Sequence, residues 1–126
     1  MTLISTDSHV IEPPDLWEER IDRTYADRAP RLVPEDDGDW WYADGFRLQS
    51  VTGGTDAGVR FEDQTKLRMA ARMDEVRKGA YEPEAKLADM DLDGIDREVV
   101  YTTIGLRLWR VPDGAFVRAT FRAYIQ

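Results

Sequence analysis

The sequence is 126 residues long, 42% hydrophobic and 33% charged, with 25 acidic against 17 basic side chains, one histidine and no cysteine. That length reads as one domain with a modest core, and the lack of cysteine excludes a disulfide framework, a thiolate nucleophile and a zinc finger, leaving oxygen and imidazole as metal ligands. A formal charge of -8 argues against nucleic-acid and anionic-membrane partners, which need clustered Lys and Arg. The start has neither a basic region nor a long apolar stretch, so no signal peptide is read. No apolar run approaches the roughly 20 residues of a membrane span. A soluble, cytoplasmic protein is expected.

Taken in chain order, Leu3 to Thr6 reads as a short strand leading into Asp7, Ser8 and His9. Pro13 and Pro14 stop any regular element. Asp15 is a candidate cap for a short helix with Leu16, Trp17 and Ile21 as its apolar contacts. Ala29 to Asp39, with two prolines and an acidic run, reads as a solvated loop. Trp40–Ala43 and Phe46–Gln49 flank Asp44-Gly45, the signature of a type I′ hairpin, so a two-stranded ribbon is expected. Gln49 to Gly58 is rich in Gly and Thr and reads as a mobile loop.

Beyond it Phe61, Thr65, Met69, Met73 and Val76 recur at helical spacing, with Gly79 as a stop. Pro83 suits the first turn of a further helix whose inward face is Leu87 and Met90, with Ile95 beside them, ending near Gly94. Val99 to Ile104 has the β-branched, nearly nonpolar character of a strand buried on both faces. A last helix begins near Asp113 and places Phe116, Thr120, Ala123 and Tyr124 on one side, with Phe121 and Ile125 adjacent. A strand, helix, strand order with a parallel pair predicts an α/β architecture.

Four constellations bear on chemistry. Asp7 and His9 stand at i and i+2 of a strand, so a carboxylate and an imidazole converge on one side of its C-terminal end. Such a pair can hold zinc, manganese or iron. The plain alternative is a turn-capping Asp7 beside an ordinary half-buried histidine. Asp89, Asp91, Asp93 and Gly94 begin like a calcium loop, but position 12, where a bidentate Glu is needed, is Val100. That run reads instead as a helix end with a left-handed glycine cap. Trp40 and Trp41 should face opposite sides of the hairpin. One packs inward; the other can meet solvent, substrate or a partner. Finally, Thr102, Thr103, Arg107 and Trp109 lie at and beyond the later strand's C-terminal end; with parallel strands that is the rim of Asp7 and His9, where Arg107 could pair with a substrate carboxylate or be a common exposed loop arginine.

The segment Ile4-Ser5-Thr6-Asp7-Ser8-His9-Val10-Ile11-Glu12-Pro13-Pro14-Asp15-Leu16-Trp17 resembles the opening of the amidohydrolase-related family, in the branch that includes aminocarboxymuconate-semialdehyde decarboxylase and resorcylate-type decarboxylases. Asp39-Trp40-Trp41, Gly79-Ala80-Tyr81-Glu82-Pro83, Leu87 to Asp91, Gly94-Ile95-Asp96 and Val100 to Leu106 follow in the matching order. The resemblance implies the N-terminal part of a (β/α)8 barrel, truncated after the second strand and part of its helix, with the hairpin inserted after strand 1. Residues 1–9 would be that strand with its metal motif, residues 10–80 the insertion, and residues 83–126 helix 1, strand 2 and the start of helix 2. It implies that Asp7 and His9 are ligands of a divalent metal, zinc foremost, with manganese or iron as alternatives. Glu12 matches a family position without an assigned role.

The implied function is that of a fragment of a metal-dependent enzyme that activates water to hydrolyse a small organic substrate; non-oxidative decarboxylation is the alternative within the family. A complete barrel takes about 250 residues, so later ligands are absent and the 126-residue chain is expected to be inactive alone. The rival is a noncatalytic interaction module whose Phe116, Phe121 and Tyr124 are covered by a second chain, through partner binding or self-association into a homo-oligomer.

Overall fold

The computed structural model describes residues 2–51 and 70–126. In chain order it holds β1 (Ile4–Val10), α1 (Leu16–Arg20), a 3-10 helix (Arg23–Arg28), β2 (Arg31–Glu35), β3 (Gly38–Ala43), β4 (Phe46–Ser50), two 3-10 turns (Met73–Glu75 and Lys78–Ala80), α2 (Pro83–Asp93), β5 (Arg97–Thr102), a 3-10 helix (Gly105–Arg110) and α3 (Gly114–Tyr124). The strands make two sheets. β1 pairs in parallel with β5, and β2, β3 and β4 form an antiparallel meander. The architecture is mixed α/β, and no helix among the described residues is long and apolar enough to cross a membrane.

The hairpin forms where Asp44-Gly45 requires it. Asp44 at φ 52 and Gly45 at φ 77 supply the two left-handed positions of the turn. The expected loop over Ala29 to Asp39 is corrected, because Arg31–Glu35 is a third strand paired with β3 from Arg31↔Tyr42 to Glu35↔Gly38. Pro34 had argued for a loop, yet β2 lies at the sheet edge, where a residue without an N–H is tolerated. Glu35 ties the three strands together: it accepts from the Tyr42 hydroxyl at 2.7 Å and from Arg47 Nε and Nη2 at 3.0 and 2.7 Å. Arg47 in turn stacks on Trp40, 3.4 Å from its ring centre. Trp40 therefore faces outward, while Trp41 is fully buried.

The main core lies between this meander, α1 and α3. Trp17 and Trp41 meet edge to face at 5.6 Å, and Trp17 Nε1 donates to the Thr120 carbonyl at 3.1 Å. Phe116 packs edge-on against Tyr25 at 5.9 Å. Asp113 caps α3 with its side chain, accepting from the Ala115 and Phe116 amides at 3.0 and 3.1 Å. Arg28 bridges this cap to the hairpin turn, donating to Asp113 and to Asp44 at 2.7 Å each, and lies over the Phe116 ring. The expected face of α3 is thus buried at Phe116, Thr120 and Ala123. Phe116, which the oligomer reading needed a second chain to cover, is covered by this one. Phe121 and Ile125 stay exposed.

Arg28 holds the Asp113 carboxyl below its ordinary value, helped by the Phe116 amide. A carboxyl whose folded pKa is depressed stabilises the fold above its unfolded value and loses that contribution as pH falls toward the folded one. Melting temperature is therefore expected to drop as pH goes below about 4, with a shallower drop in Asp113→Asn. Equal slopes between pH 5 and 3 would remove this cap from the account.

Three other expectations change. The helical pattern from Phe61 lies outside the described residues as far as Met69; its described end is a 3-10 turn, Met73–Glu75, followed by extended Val76. Gly79 sits within a second 3-10 turn rather than stopping a helix. The loop read over Gln49 to Gly58 begins as strand, since Gln49 and Ser50 end β4 and Val51 is buried; residues 52–58 lie outside the described part. α2 begins at Pro83 and ends at Gly94 in the left-handed conformation (φ 69), with Ile95 N donating back to Met90 O at 2.9 Å, the helix end foreseen for the aspartate run.

The inward face expected for α2 is not buried. Leu87 is 60% exposed and no residue of the helix is fully covered. β5 departs furthest: Val99, Val100 and Tyr101 are 45–48% exposed instead of buried on both faces. The apolar run forms a strand, as its residue types require, but among the described residues only β1 pairs with it and no third layer lies over it.

Candidate functional site

β1 and β5 run side by side from Ile4↔Arg97 to Val10↔Thr102, so their C-terminal ends share one rim. Between Ser5↔Glu98 and Ser8↔Val100 β1 carries one residue more than its partner. This bulge falls at Thr6 and Asp7 and lets the Ser5 and Ser8 hydroxyls meet at 2.7 Å. Bulges re-aim side chains near the ends of strands.

Asp7, within the bulge, and His9, just past it, lie on one side of the strand, with His9 Nε2 3.8 Å from Asp7 Oδ1. That separation is too long for a hydrogen bond. It is close to the ~3.4 Å that two ligand atoms span on one tetrahedral ion at bond lengths near 2.1 Å. Tyr101, directly opposite on β5, holds the imidazole from the side with ring centres 5.9 Å apart. The donor pair fits two positions of a divalent ion. Among the described residues no cluster of three or more His, Asp or Glu is placed to hold one, so these residues do not by themselves make a full coordination shell.

Arg107 lies on the 3-10 helix after β5 and is exposed. Its Nε donates to Gln49 Oε1 at 2.6 Å, tethering the end of β4 to the rim. The two Nη groups take no part in that bond, so the outer edge of the guanidinium still suits an anion.

Glu12 is the residue whose role the sequence left unassigned. It is 1% exposed and reaches across from the end of β1 to the loop after β5. There it accepts from the Thr102 hydroxyl, from the amides of Thr103 and Ile104 at 3.1 and 3.0 Å, and from that of Gly105 at 3.3 Å. One carboxylate thus satisfies the amides of Thr103 and Ile104 that lead into the 3-10 helix Gly105–Arg110, and shares the Gly105 amide with Thr102 Oγ1, which accepts from it at 2.9 Å. The signal available beforehand was an acid set between apolar Val10-Ile11 and the double proline.

Gly105 completes this joint. A Cβ there would lie 2.3 Å from Thr102 Oγ1 and 2.6 Å from its Cγ2, and Thr102 cannot swing away without leaving Glu12. Gly105→Ala is accordingly expected to lower the melting temperature by several degrees, corresponding to about 1–3 kcal/mol of overpacking; an unshifted melt would show that the joint yields freely. Beside Glu12 opens a cavity of about 550 Å³, largely apolar, walled by Val10, Ile11, Leu16, Tyr81, Leu87 and Tyr124. Burial pushes the Tyr124 phenol above its ordinary pKa, opposed by its hydrogen bond with Thr102.

No protein-family model matches the sequence, and no curated protein does. The fold is similar to the crystal structure of an amidohydrolase from Mycobacterium avium subsp. paratuberculosis K-10, with 17% sequence identity and a TM-score of 0.66. The likeness covers 98% of this chain and 36% of the mycobacterial one. At that identity it shows an amidohydrolase-like fold, shared over about a third of the longer protein.

Proposed function

We propose that this chain forms the first strand-helix units of a (β/α)8 barrel in a metal-dependent amidohydrolase-type enzyme, with Asp7 and His9 as two ligands of its divalent ion. The observation that carries the reading is the placement of that pair: a carboxylate and an imidazole 3.8 Å apart near the C-terminal end of a strand whose parallel neighbour ends on the same rim. In barrels that rim bears the chemistry. The exposed faces of β1 and β5 fit the same reading, because parallel sheets are covered on both sides. The likeness to the mycobacterial amidohydrolase supports the fold alone.

When bound, a divalent ion, zinc foremost, supplies Lewis acidity that makes water nucleophilic near neutral pH or polarises a substrate carbonyl. The chain's own residues do the placing. His9 offers Nε2 from a ring held against Tyr101. Asp7 adds a negative charge at the same spot, offsetting that of the ion. Glu12 fixes the loop that carries Arg107, so the guanidinium stays at the rim to orient an anionic group of a small substrate. Hydrolysis of a small organic substrate is the proposed reaction.

Two donors make a weak site. The purified 126-residue chain is expected to bind Zn²⁺ reversibly and to lose it on dialysis, and His9→Ala is expected to abolish the calorimetric signal. A stoichiometric ion that survives dialysis would overturn the two-ligand reading. Zinc binding that His9→Ala leaves unchanged would overturn the site.

A further inference from the structure

A second cleft, about 390 Å³ in volume, lies between α1, the 3-10 helix that follows it and α3. It shares no lining residue with the Asp7–His9 pair. Arg20, at the end of α1, and Arg118 and Arg122, one turn apart on α3, all line it. The floor between them is Ala119 and Ala123, side chains short enough for a ligand to approach the helix closely.

What sets these arginines apart is that all three line one cleft while lacking partners in an acidic protein. With 25 carboxylates against 17 cations, four arginines elsewhere hold acids: Arg28 holds Asp44 and Asp113, Arg47 holds Glu35, Arg72 holds Asp39 and Arg77 holds Asp89. Arg23, Arg97 and Arg110 have no ion pair among the described residues but do not line this cleft. Among the described residues none of Arg20, Arg118 and Arg122 has an ion pair or a side-chain hydrogen bond. The one carboxylate in the lining is Asp22. It already accepts from the Thr24 amide at 2.8 Å, which holds its carboxyl below the ordinary value. Like charges at i and i+4 oppose a helix, and the favourable dipole at the helix end reaches only its last turn, which contains Arg122 but not Arg118.

We propose that this cleft is an anion site that takes a small phosphate-bearing molecule, gripped by the guanidinium groups of Arg20, Arg118 and Arg122. Guanidinium forks arriving from two elements suit a tetrahedral oxyanion, whose oxygens accept in several directions. The overall charge of -8 does not forbid it, because exposed charges more than about 8 Å away are screened at physiological salt. The local trio governs. Sequence reading finds no phosphate motif because the site joins side chains about a hundred positions apart.

The test uses inorganic pyrophosphate as probe on the full 126-residue chain, with ionic strength matched by sodium chloride. Pyrophosphate is expected to raise the melting temperature through preferential binding to the folded state, in the parent and in Arg110→Ala alike, since Arg110 is exposed and outside the cleft. The shift is expected to vanish in Arg118→Ala/Arg122→Ala. Arg20→Ala, on a separate element, should weaken calorimetric affinity about tenfold, the effect of losing one charge-assisted contact. An equal response in all variants, or none in the parent, overturns the proposal. So does sedimentation with phosphatidic-acid vesicles that the double variant abolishes while pyrophosphate has no effect, since that outcome assigns the arginines to a lipid surface.

Discussion

Replacing Glu12 with alanine is expected to destabilise the protein by about 3–5 kcal/mol, because two backbone amides and a hydroxyl lose their buried acceptor. The carboxylate is the shared acceptor for the amides of Thr103, Ile104 and Gly105 and for the Thr102 hydroxyl. Without it the amides of Thr103 and Ile104 lose their acceptor, while that of Gly105 keeps Thr102 Oγ1 at 2.9 Å. Each buried donor without an acceptor costs about 1–3 kcal/mol, and water entering the space beside Tyr124 recovers part. A loss of this size is a large fraction of the 5–15 kcal/mol typical of a domain and lowers the melting temperature by roughly 10–20 °C. Glu12→Gln keeps the volume and one accepting oxygen, so about half the effect is expected. Urea unfolding provides the check: the midpoint should fall in that order, parent, Gln, Ala, with an unchanged slope. An alanine variant as stable as the parent would mean that the rim loop is held by other contacts.

Trp17→Ala is the second large effect, at about 3–5 kcal/mol. Trp17 is fully buried, meets Trp41 edge to face, touches Tyr124 at 6.2 Å between ring centres and donates to Thr120 O. It joins α1 to both α3 and the meander, so its removal opens a cavity where three elements meet. A double-mutant cycle with Trp41→Ala is expected to show coupling of about 0.5–1.5 kcal/mol from the ring pair. Additive losses would mean that each ring packs independently.

The parts of this fold that were legible in the sequence are those fixed by local chemistry. Asp44-Gly45 sets its own turn, Pro83 and Gly94 bracket α2, and Asp113 caps α3, because each acts through its immediate backbone. The side shared by Asp7 and His9 follows from strand alternation and is kept although Asp7 belongs to the bulge. What was illegible depends on partners. β2 becomes a strand despite Pro34 only because β3 is there to pair with one of its edges. Val99 to Tyr101 have the residue types of a buried strand, but burial is a property of what lies over a strand, and here too little does. Glu12 could not be given a role because its acceptors' partners stand about ninety positions later in the chain. Strand alternation sets Trp40 and Trp41 on opposite sides, and the stacking of Arg47 on Trp40 decides which one is outside.

The pairing of β1 with β5 also imposes a timetable on biosynthesis. Ile4 lies opposite Arg97, so the first strand emerges from the ribosome some ninety residues before its partner exists. At about 5–20 residues per second, that is a wait of roughly 5–19 s, during which the meander, closed by a two-residue turn, can form in microseconds. The connectivity sets the order: the strand bearing Asp7 and His9 is made before the meander and paired after it, and the candidate metal ligands come to lie beside Tyr101 only once β5 has been made.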